Sequence, residues 1–359
     1  MSKILMLSYL PIHPADGGGR VRIRQLATHL AERHTLTLLC PPSELPAEEA
    51  FRFTVYDHGI RGVRQLLDPR SYHTVFDLAR REQPDFILLE YIWQGLHAAL
   101  ARLAQHVPVL LDAFDVATVR LRRARNPLWP AVSLYERCVL RTVDRVFAVS
   151  DIDRDQLVAL GAPETRTSVV PNGVDTSAFR PDTESGGRVR DALGVSSGDR
   201  LLLFFGQLNY APNADAVRIL AREIMPRLGP EHHLVIAGRG SVADLRKEHG
   251  GHRIEFLGSV ERISDYINAA DAIVSPITHG SGTRLKLLES LACGAPTVAT
   301  SVAAEGLDLA ACGPALTIAD DWDAFASSIR HASKAQRIPP SPAFLETYDW
   351  RAIVERIRL

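Results

Sequence analysis

The sequence predicts an α/β protein made of two doubly wound domains in tandem, and three observations support this fold class. Short apolar runs alternate with longer amphipathic segments, which is typical of parallel strands joined by helices. The runs are continuous rather than alternating, so both faces of each strand are expected to be covered. The pattern stops and restarts once, and 359 residues are enough for two cores.

The strands follow in order along the chain. Five are predicted in the first half, from the runs ILMLSYL, TLTLLC, DFILLEY, VPVLLDAF and RVFAVS. Five more are predicted in the second half, from LLLFFGQL, HHLVIAGRG, RIEFLGSV, DAIVSPI and PTVATS. Amphipathic segments between these runs predict helices, among them residues 20–33, 72–81, 134–142, 213–228 and 263–269.

A polar stretch rich in Gly and Ser, RPDTESGGRVRDALGVSSGDR, separates the halves and indicates a linker or a surface excursion. We therefore assign residues 1–180 to the first domain and 181–342 to the second. The terminal run FLETYDWRAIVERIRL predicts an amphipathic helix over about residues 343–359 that packs back on the first domain.

Composition narrows the class of protein. A hydrophobic content of 46% and a charged content of 23% are those of a globular chain. The net charge of −1 gives no global field for nucleic acid or an acidic membrane. Four scattered cysteines without a CxxC pair predict reduced thiols. No signal peptide or spanning segment is recognised, so we expect a cytoplasmic protein without a nucleic-acid partner.

A glycine loop follows the first strand, in SYLPIHPADGGGRVRIRQLATHL. Gly17, Gly18 and Gly19 would let the backbone approach a ligand, and the helix that follows offers free N–H groups to an anion. The loop is not a GxGxxG motif, and a simple helix-entry turn is the alternative. We favour an anion-binding loop.

Polar residues end two predicted strands of the first half. These are Glu90 and Tyr91, then Asp112 and Asp115, and they are candidates for acceptor binding or acid/base chemistry. Capping of the next loop or helix explains them equally well. A basic run at residues 120, 122, 123 and 125 could meet an anionic acceptor or a lipid phosphate, although a solvated helix face is favoured.

DxD patterns at Asp151, Asp153 and Asp155 are reminiscent of metal-binding sugar-nucleotide enzymes. They open a predicted helix, however, where carboxylates act as caps and complement the dipole. We therefore predict no metal site.

The stretch GSGTRLKLLESLACG predicts a loop that opens a helix. Ser281, Gly282 and Thr283 form the loop, Arg284 begins the helix, and Gly294 is predicted to stop it. Backbone N–H groups and the helix dipole could bind an anion here.

Charged side chains in that helix suggest which anion. Arginine can grip two oxygens and lysine supplies a point charge, so Arg284 and Lys286 could hold a diphosphate. Glu289 lies on the same side of the helix and could accept two hydroxyl hydrogen bonds, as from a ribose. An exposed Lys286–Glu289 pair worth roughly 0.2–0.5 kcal/mol is the alternative, and spacing alone leaves the two interpretations even.

Several segments together resemble one family over most of the chain. They are VFAVSDIDRDQLVALG, VVPNGVDTSAFRP, LLLFFGQLNYAPNADAV, LVIAGRG, IEFLGSV and GSGTRLKLLESLACGAPTVATSVAAEGL. This set resembles the retaining GT-B glycosyltransferases, group 1 or family 4-like. The resemblance implies two Rossmann-like domains facing across a cleft, the first for the acceptor and the second for a nucleotide-sugar.

The resemblance also implies residue roles. Glu289 would bind the donor ribose, while Arg284 and Lys286 would hold the diphosphate and serve catalysis. The remaining donor-binding residues would be Gly18, Gly19, Ser259, Val260, Ser281, Gly282 and Thr283. Transfer would occur on the front face with retention, and the leaving diphosphate would take the acceptor proton. No cofactor beyond the nucleotide-sugar co-substrate is implied.

Three departures from the family pattern stand out. Ser281 occupies a position where many members have a carboxylate. The neutral GQLNYAPN replaces a basic pair after the first strand of the second domain, which shifts the phosphate charge onto Arg284 and Lys286. Phe114 and Asp115 stand where many relatives have a histidine, so Asp115 is a candidate on the acceptor side.

The predicted function is transfer of a sugar from a UDP-linked donor to a hydroxyl of a soluble sugar, saccharide or secondary metabolite. An NDP-sugar epimerase or a non-glycosidic coupling enzyme is the alternative on the same scaffold. A non-catalytic nucleotide-sugar-binding protein is the third interpretation. Homodimer formation is left open.

Overall fold

A computed structural model describes residues 1–15, 17–43, 51–240, 243–251, 253–280 and 285–357. The chain divides into two compact units. The first comprises Met1–Asn172 and the segment that begins at Trp350, and the second is Gly173–Asp349. The division after Asn172 falls slightly before residue 180, where the sequence placed the boundary, because Val174 already pairs with Asp349 of the second unit.

The first unit is built on a parallel seven-stranded sheet in the order β3-β2-β1-β4-β5-β6-β7. Its strands are β1 Lys3–Ser8, β2 Thr35–Cys40, β3 Thr54–Asp57, β4 Phe86–Glu90, β5 Val109–Ala113, β6 Arg145–Ala148 and β7 Thr167–Val169. Its helices are α1 Gly18–Leu30, α2 Pro69–Glu82, α3 Gly95–Gln105, α4 Ala117–Arg123, α5 Trp129–Leu140 and α6 Asp151–Leu160. Two apolar clusters cover the two faces of this sheet.

The second unit has a parallel six-stranded sheet in the order β10-β9-β8-β11-β12-β13. Its strands are β8 Arg200–Phe205, β9 His232–Ala237, β10 Ile254–Gly258, β11 Ala272–Ser275, β12 Thr297–Ala299 and β13 Leu316–Ile318. Its helices are α7 Thr183–Ala192, α8 Ala211–Ile219, α9 Ala243–His249, α10 Ile263–Ala269, α11 Leu285–Ala292, α12 Leu309–Cys312, α13 Trp322–Ala332 and α14 Pro342–Tyr348. Again, apolar clusters cover both faces.

The doubly wound α/β class is confirmed, and all ten predicted strands are present. The strands that the sequence did not predict, β3, β7 and β13, lie at sheet edges. They are three or four residues long and only partly buried. An edge strand is covered less completely, so its sequence carries a weaker apolar signal.

The predicted helix over residues 213–228 was wrong in its second half. The α-helix α8 ends at Ile219 and continues as a π-helical turn, Leu220–Ile224, and a 3₁₀ turn, Met225–Arg227. Pro226 lies in the last turn, and proline lacks the N–H that a further α-helical turn would need.

The single C-terminal helix predicted over 343–359 was also wrong. Asp349 is extended, with φ −70° and ψ 131°, and separates α14 from α15, Trp350–Arg356. It pairs with Val174, whose N–H donates to the Tyr348 carbonyl at 2.7 Å, while the Thr176 hydroxyl donates to the Asp349 carboxylate. Consequently α14 packs within the second unit, and α15 packs beside α1 in the first.

Candidate functional site

The strand order of the second sheet reverses between β8 and β11. In doubly wound sheets the carboxyl ends of the strands at such a point form a crevice that binds ligands. The loops that leave β8 and β11 are therefore the first place to look for a site in this unit.

The loop after β8 is held in place by main-chain hydrogen bonds. Gly206 has φ 146°, and its N–H donates to the Ala237 carbonyl at 3.0 Å. The Leu208 N–H donates to the Arg239 carbonyl at 2.7 Å. Asn213, in the first turn of α8, donates from Nδ2 to the Gln207 carbonyl at 2.8 Å and so ties the helix to the loop.

Lys286 reaches this loop from α11. Its Nζ donates to Asn213 Oδ1 at 2.9 Å and lies 4.2 Å from the centroid of the Phe204 ring. A Cβ built on Gly206 would come within 3.1 Å of Nζ. The ammonium therefore sits at the carboxyl end of β8, where an anionic ligand could meet it.

Glu289 lies one turn further along α11 and is partly buried. Among the described residues its carboxylate has no hydrogen-bond partner. Burial raises the pKa of Glu289 to about 7, and the neighbouring charge of Lys286 opposes that rise. Burial makes the charged form of this carboxylate unfavourable when no donor is present. Hydroxyl groups of a ligand could donate hydrogen bonds to it, and such bonds stabilise the charged form.

The end of α11 matches the sequence prediction. Gly294 has φ 68°, its N–H donates to the Leu291 carbonyl at 2.9 Å, and the Ala295 N–H donates to the Ser290 carbonyl at 3.0 Å. This is a left-handed glycine cap. A Cβ at Gly294 would also lie 2.9 Å from the Ile338 carbonyl oxygen.

The predicted site residues Ser281, Gly282, Thr283 and Arg284 lie outside the described residues.

Ser259 and Val260 follow β10, the edge strand of the second sheet. Ser259 is exposed, whereas Val260 is partly buried and packs on an apolar cluster. The Gly258 carbonyl, immediately before them, accepts from the Gly238 N–H at 2.7 Å. Ser259 is thus accessible beyond the end of β10, and Val260 also supports the core.

In the first unit, the predicted glycine loop leads into α1 at Gly18. Gly17 is the extended residue before the helix, with φ −145° and ψ 150°. A Cβ at Gly19 would lie 3.0 Å from the Phe114 ring, so close packing already requires a small residue there. The helix-entry interpretation therefore explains Gly19 without a ligand.

Asp112 and Glu90 occupy neighbouring positions in the ladder between β4 and β5, and both side chains are fully buried. Arg22 of α1, which is also fully buried, donates to both Asp112 oxygens at 2.6 Å. The same guanidinium donates to the Val170 carbonyl at 2.8 Å and the Pro171 carbonyl at 2.9 Å. Asp112 is thus half of an internal ion pair, and acceptor binding by this residue stays a prediction from the sequence.

Glu90 differs from Asp112 in its partners. Neither oxygen accepts a hydrogen bond from the described residues. Burial raises the pKa of Glu90 well above its ordinary value, the Asp112 carboxylate raises it further, and Arg22 opposes both. Glu90 is fully buried, and its role in acceptor binding stays a prediction from the sequence.

Tyr91 and Asp115 form a polar cluster with Arg120. The Tyr91 hydroxyl donates to Asp115 Oδ2 at 2.9 Å, and Arg120 donates from Nε to the same oxygen at 2.5 Å. Arg120 Nη2 also donates to the Tyr91 hydroxyl at 3.0 Å. Burial and the charge of Asp115 raise the pKa of Tyr91, so its phenol stays protonated. The structure joins these residues, and Asp115 remains partly accessible.

Asp151 and Asp153 lie in the first turn of α6, where the sequence placed them, but neither of them is the N-cap. Ser150 is the N-cap: its hydroxyl accepts from the Asp153 N–H at 3.1 Å and donates to the Asp153 carboxylate at 2.7 Å. Within the described part of the chain, no three His, Cys, Asp or Glu side chains are grouped as a metal site. The same residues include no helix with the length and apolar character needed to cross a bilayer.

Two family models match the chain, one mainly in each unit. The model described as Glycosyltransferase Family 4 matches residues 16–178. The model described as Glycosyl transferases group 1 matches residues 199–334. The chain belongs to the group 1 and family 4 glycosyltransferases. The glycosyltransferase family recognised from the sequence motifs is thereby confirmed.

Curated relatives of this glycosyltransferase carry one recurring description. D-inositol 3-phosphate glycosyltransferase of Rhodococcus opacus (strain B4) is 24% identical over an alignment that covers 93% of this chain and 83% of the relative. The protein of that description from Thermobispora bispora is 32% identical, over 61% of this chain and 55% of the relative.

Solved structures share the fold of this glycosyltransferase. Sucrose-phosphate synthase (tll1590) from Thermosynechococcus elongatus matches with a TM-score of 0.80 and 16% identity, over 99% of this chain and 97% of that one. Anabaena Alr3699/HepE, in a complex with UDP and glucose, matches with a TM-score of 0.71 and 19% identity, over 99% and 98% of the two chains. At these identities the likeness establishes the fold.

Two residues central to these clusters were not predicted from the sequence. Arg22 gave no signal, since an arginine in the exposed-looking pattern RVRIR looks like a surface residue. Asn213 stands in PNADAV, just after the strand and glycine of LLLFFGQL, and a polar residue at the first turn of that helix was a signal that could have been used. Its partner Lys286 was predicted as a site residue.

Proposed function

We propose that this glycosyltransferase transfers a sugar from a UDP-linked donor to an acceptor hydroxyl, with retention of anomeric configuration. The observation that carries the proposal is the placement of Lys286 at the carboxyl end of β8, with Glu289 one turn along the same helix. A nucleoside diphosphate presents phosphate oxygens, which a lysine can bind, and ribose hydroxyls, from which a carboxylate can accept hydrogen bonds. A lysine and a carboxylate lie together here, at the point where the strand order reverses.

In this proposal Glu289 accepts hydrogen bonds from the two ribose hydroxyls, and Lys286 neutralises part of the diphosphate charge. Arg284 and the backbone of Gly282 and Thr283 complete the phosphate site, and Ser259 contacts the base. UDP is the favoured nucleotide because it is present in the Anabaena Alr3699/HepE complex, which shares this fold.

The chemistry requires no protein nucleophile. The bond between the anomeric carbon and the diphosphate oxygen breaks as the acceptor oxygen attacks the same face. The departing diphosphate takes the proton of the acceptor hydroxyl, so the products are the glycoside and UDP. Lys286 would stabilise the charge that develops on the leaving oxygen, which is an electrostatic contribution to catalysis.

The acceptor is proposed to be a small polyol or its phosphate. The relatives named D-inositol 3-phosphate glycosyltransferase make that compound the first acceptor to test. In the first unit, the accessible guanidinium of Arg120 and the partly accessible carboxylate of Asp115, which the buried Tyr91 supports, are candidates to contact such a molecule. Cytoplasmic location stays a prediction from the sequence.

The test of the proposal is a transfer assay with a panel of UDP-sugars and acceptors that includes D-inositol 3-phosphate. Release of UDP that depends on the acceptor, together with a new glycosidic bond, supports transfer. An altered sugar in the donor without a new bond would support the epimerase alternative. UDP-sugar binding without any turnover across the panel would favour a non-catalytic binding protein.

Donor binding is expected to strengthen as the pH rises through about 7, because ribose hydroxyls donate to the ionised form of Glu289, whose pKa is raised to about 7. The UDP dissociation constant, measured by calorimetry from pH 6 to 8, checks this. A Glu289→Gln variant should bind weakly with little pH dependence. The same pH dependence in both proteins would remove Glu289 from the site.

In the absence of ligand, the contribution of Glu289 to the free energy of unfolding changes with pH in the opposite direction. The pKa of Glu289 is raised in the folded state, so its stabilising contribution is complete below about 4.5 and is lost as the pH rises through about 7. Relative to Glu289→Gln, the wild-type protein should therefore lose about 1–3 kcal/mol between pH 5 and 8, since one pKa unit corresponds to about 1.4 kcal/mol.

A further inference from the structure

Two neutral groups contact the ammonium of Lys286. Asn213 Oδ1 accepts its hydrogen bond at 2.9 Å, and the Phe204 ring lies beneath it with its centroid at 4.2 Å. An amide oxygen and an aromatic face both attract a cation without cancelling its charge. A carboxylate in the same place would form an ion pair and remove most of the field that an anionic ligand could use.

The orientation of the Asn213 amide is fixed from its other end. Nδ2 donates to the Gln207 carbonyl at 2.8 Å, so Oδ1 is turned toward Lys286. Asn213 is buried, and Pro212 precedes it in the first turn of α8. The amide therefore connects the loop after β8 to the lysine of α11.

Gly206 supplies the space for this arrangement. A Cβ there would lie 3.0 Å from Asn213 Nδ2 and 3.1 Å from Lys286 Nζ, and φ is 146°. Glycine tolerates this conformation without strain, whereas other residues rarely adopt it. The three residues thus form one unit at the carboxyl end of β8.

The acid on the same helix has other partners. Asp215 Oδ1 accepts from Arg218 Nη1 at 2.7 Å, and its Oδ2 lies 2.9 Å from His279 Nε2. Helix α8 therefore presents its amide, rather than its carboxylate, to Lys286.

We propose that Asn213 is a positioning residue for donor binding, which holds the Lys286 ammonium above Gly206 at the carboxyl end of β8, where a donor phosphate can meet it. This inference rests on the proposed function of the site. Asn213 belongs to the neutral segment GQLNYAPN, which would thus contribute to phosphate binding without carrying a charge itself.

The test compares the affinity of UDP for the wild-type protein and for two variants, Asn213→Ala and Asn213→Asp, by calorimetry. Asn213→Ala is expected to weaken UDP binding about tenfold, the factor for about 1.4 kcal/mol, because a hydrogen bond to a charged group is lost. Asn213→Asp has the same shape and can still hold the lysine, yet it should weaken binding further, because its carboxylate neutralises the ammonium and repels the diphosphate. When a UDP-sugar is the substrate, both Asn213 variants should raise the KM for the donor by a larger factor than they lower kcat.

This order of variants separates positioning from a merely structural role. If Asn213 serves only the fold, Asn213→Asp, which gains an ion pair, should bind UDP as well as the wild type and better than Asn213→Ala. That outcome would overturn the proposal. Asn209→Asp is the matched control, since Asn209 is exposed in the same loop and gains the same charge. It should change UDP affinity by less than about threefold, as expected for a screened surface charge.

Lys286→Ala distinguishes failure of the inference from failure of the proposed function. If Lys286→Ala binds UDP as tightly as the wild type, the donor site and the role of Asn213 are both wrong. If Lys286→Ala loses UDP while Asn213→Asp retains it, the inference alone is wrong. Loss in both variants, with the melting temperature of Asn213→Asp no lower than that of Asn213→Ala, supports it.

Discussion

Lys286→Ala is expected to lower kcat/KM for the nucleotide-sugar by about 10²–10³-fold, the usual cost of removing one group that stabilises charge in a transition state. The ammonium lies at the carboxyl end of β8, held by Asn213 and Phe204. Both UDP affinity and turnover should fall, because the charge binds the diphosphate before the reaction and stabilises it more strongly as it leaves. Steady-state kinetics with varied donor concentration measure both effects.

Lys247→Ala is the matched control for that experiment. Lys247 is an exposed lysine on α9 of the same unit, so its loss changes the net charge equally. Its kinetics should stay within about twofold of the wild type, as expected for a screened surface charge. Unchanged kinetics in Lys286→Ala would remove this residue from the donor site.

The second large effect is on stability. Arg22→Met should lower the free energy of unfolding of the first unit by about 3–5 kcal/mol, because it leaves Asp112 buried without its partner. The change also removes the hydrogen bonds to the Val170 and Pro171 carbonyls. Urea unfolding followed by tryptophan fluorescence reports mainly on this unit, since three of the four tryptophans, Trp93, Trp129 and Trp350, lie in it.

The loss in the free energy of unfolding that Arg22→Met causes should increase with pH. Arg22 opposes the rise in the pKa of Glu90, so without it the pKa in the folded state rises further. A group whose folded pKa is raised loses its stabilising contribution as the pH increases, and the variant should therefore be relatively more stable at pH 5 than at pH 8.

Two further variants show whether the buried charge is the cause. Arg22→Met combined with Asp112→Leu removes the orphaned carboxylate and should recover much of the loss, as replacing a whole buried pair usually does. Arg33→Met breaks an exposed pair with Glu355 and should cost less than about 1 kcal/mol. Equal losses in Arg22→Met and Arg33→Met would contradict the account of the buried pair.

The strands that are buried on both faces could be predicted from the sequence alone. LLLFFG and ILMLS are continuous apolar runs, and such runs have few alternatives to a covered parallel strand. The sequence was insufficient for β13, whose three residues lie at a sheet edge, and for the break at Asp349. That break depends on contacts with Val174 and Thr176, which are distant along the chain.

The candidate site was predictable in part for a similar reason. Lys286 and Glu289 lie three residues apart on one helix, so spacing alone places them together. Asn213 reaches Lys286 from a residue far away along the chain, and only tertiary structure brings them together. Asp112 looked like a site residue because a polar group ends its strand, yet Arg22 satisfies it internally.

The most direct test of the central claim is the fate of the donor in a single reaction. Purified protein is incubated with a UDP-sugar, with and without an acceptor that it uses, and UDP and the anomeric configuration of the product are followed by NMR. We expect UDP to appear with the glycoside in equal amounts, with the configuration of the donor retained, and Glu289→Ala to abolish both signals. A product of inverted configuration would contradict the proposed mechanism, and full activity in Glu289→Ala would contradict the proposed donor site.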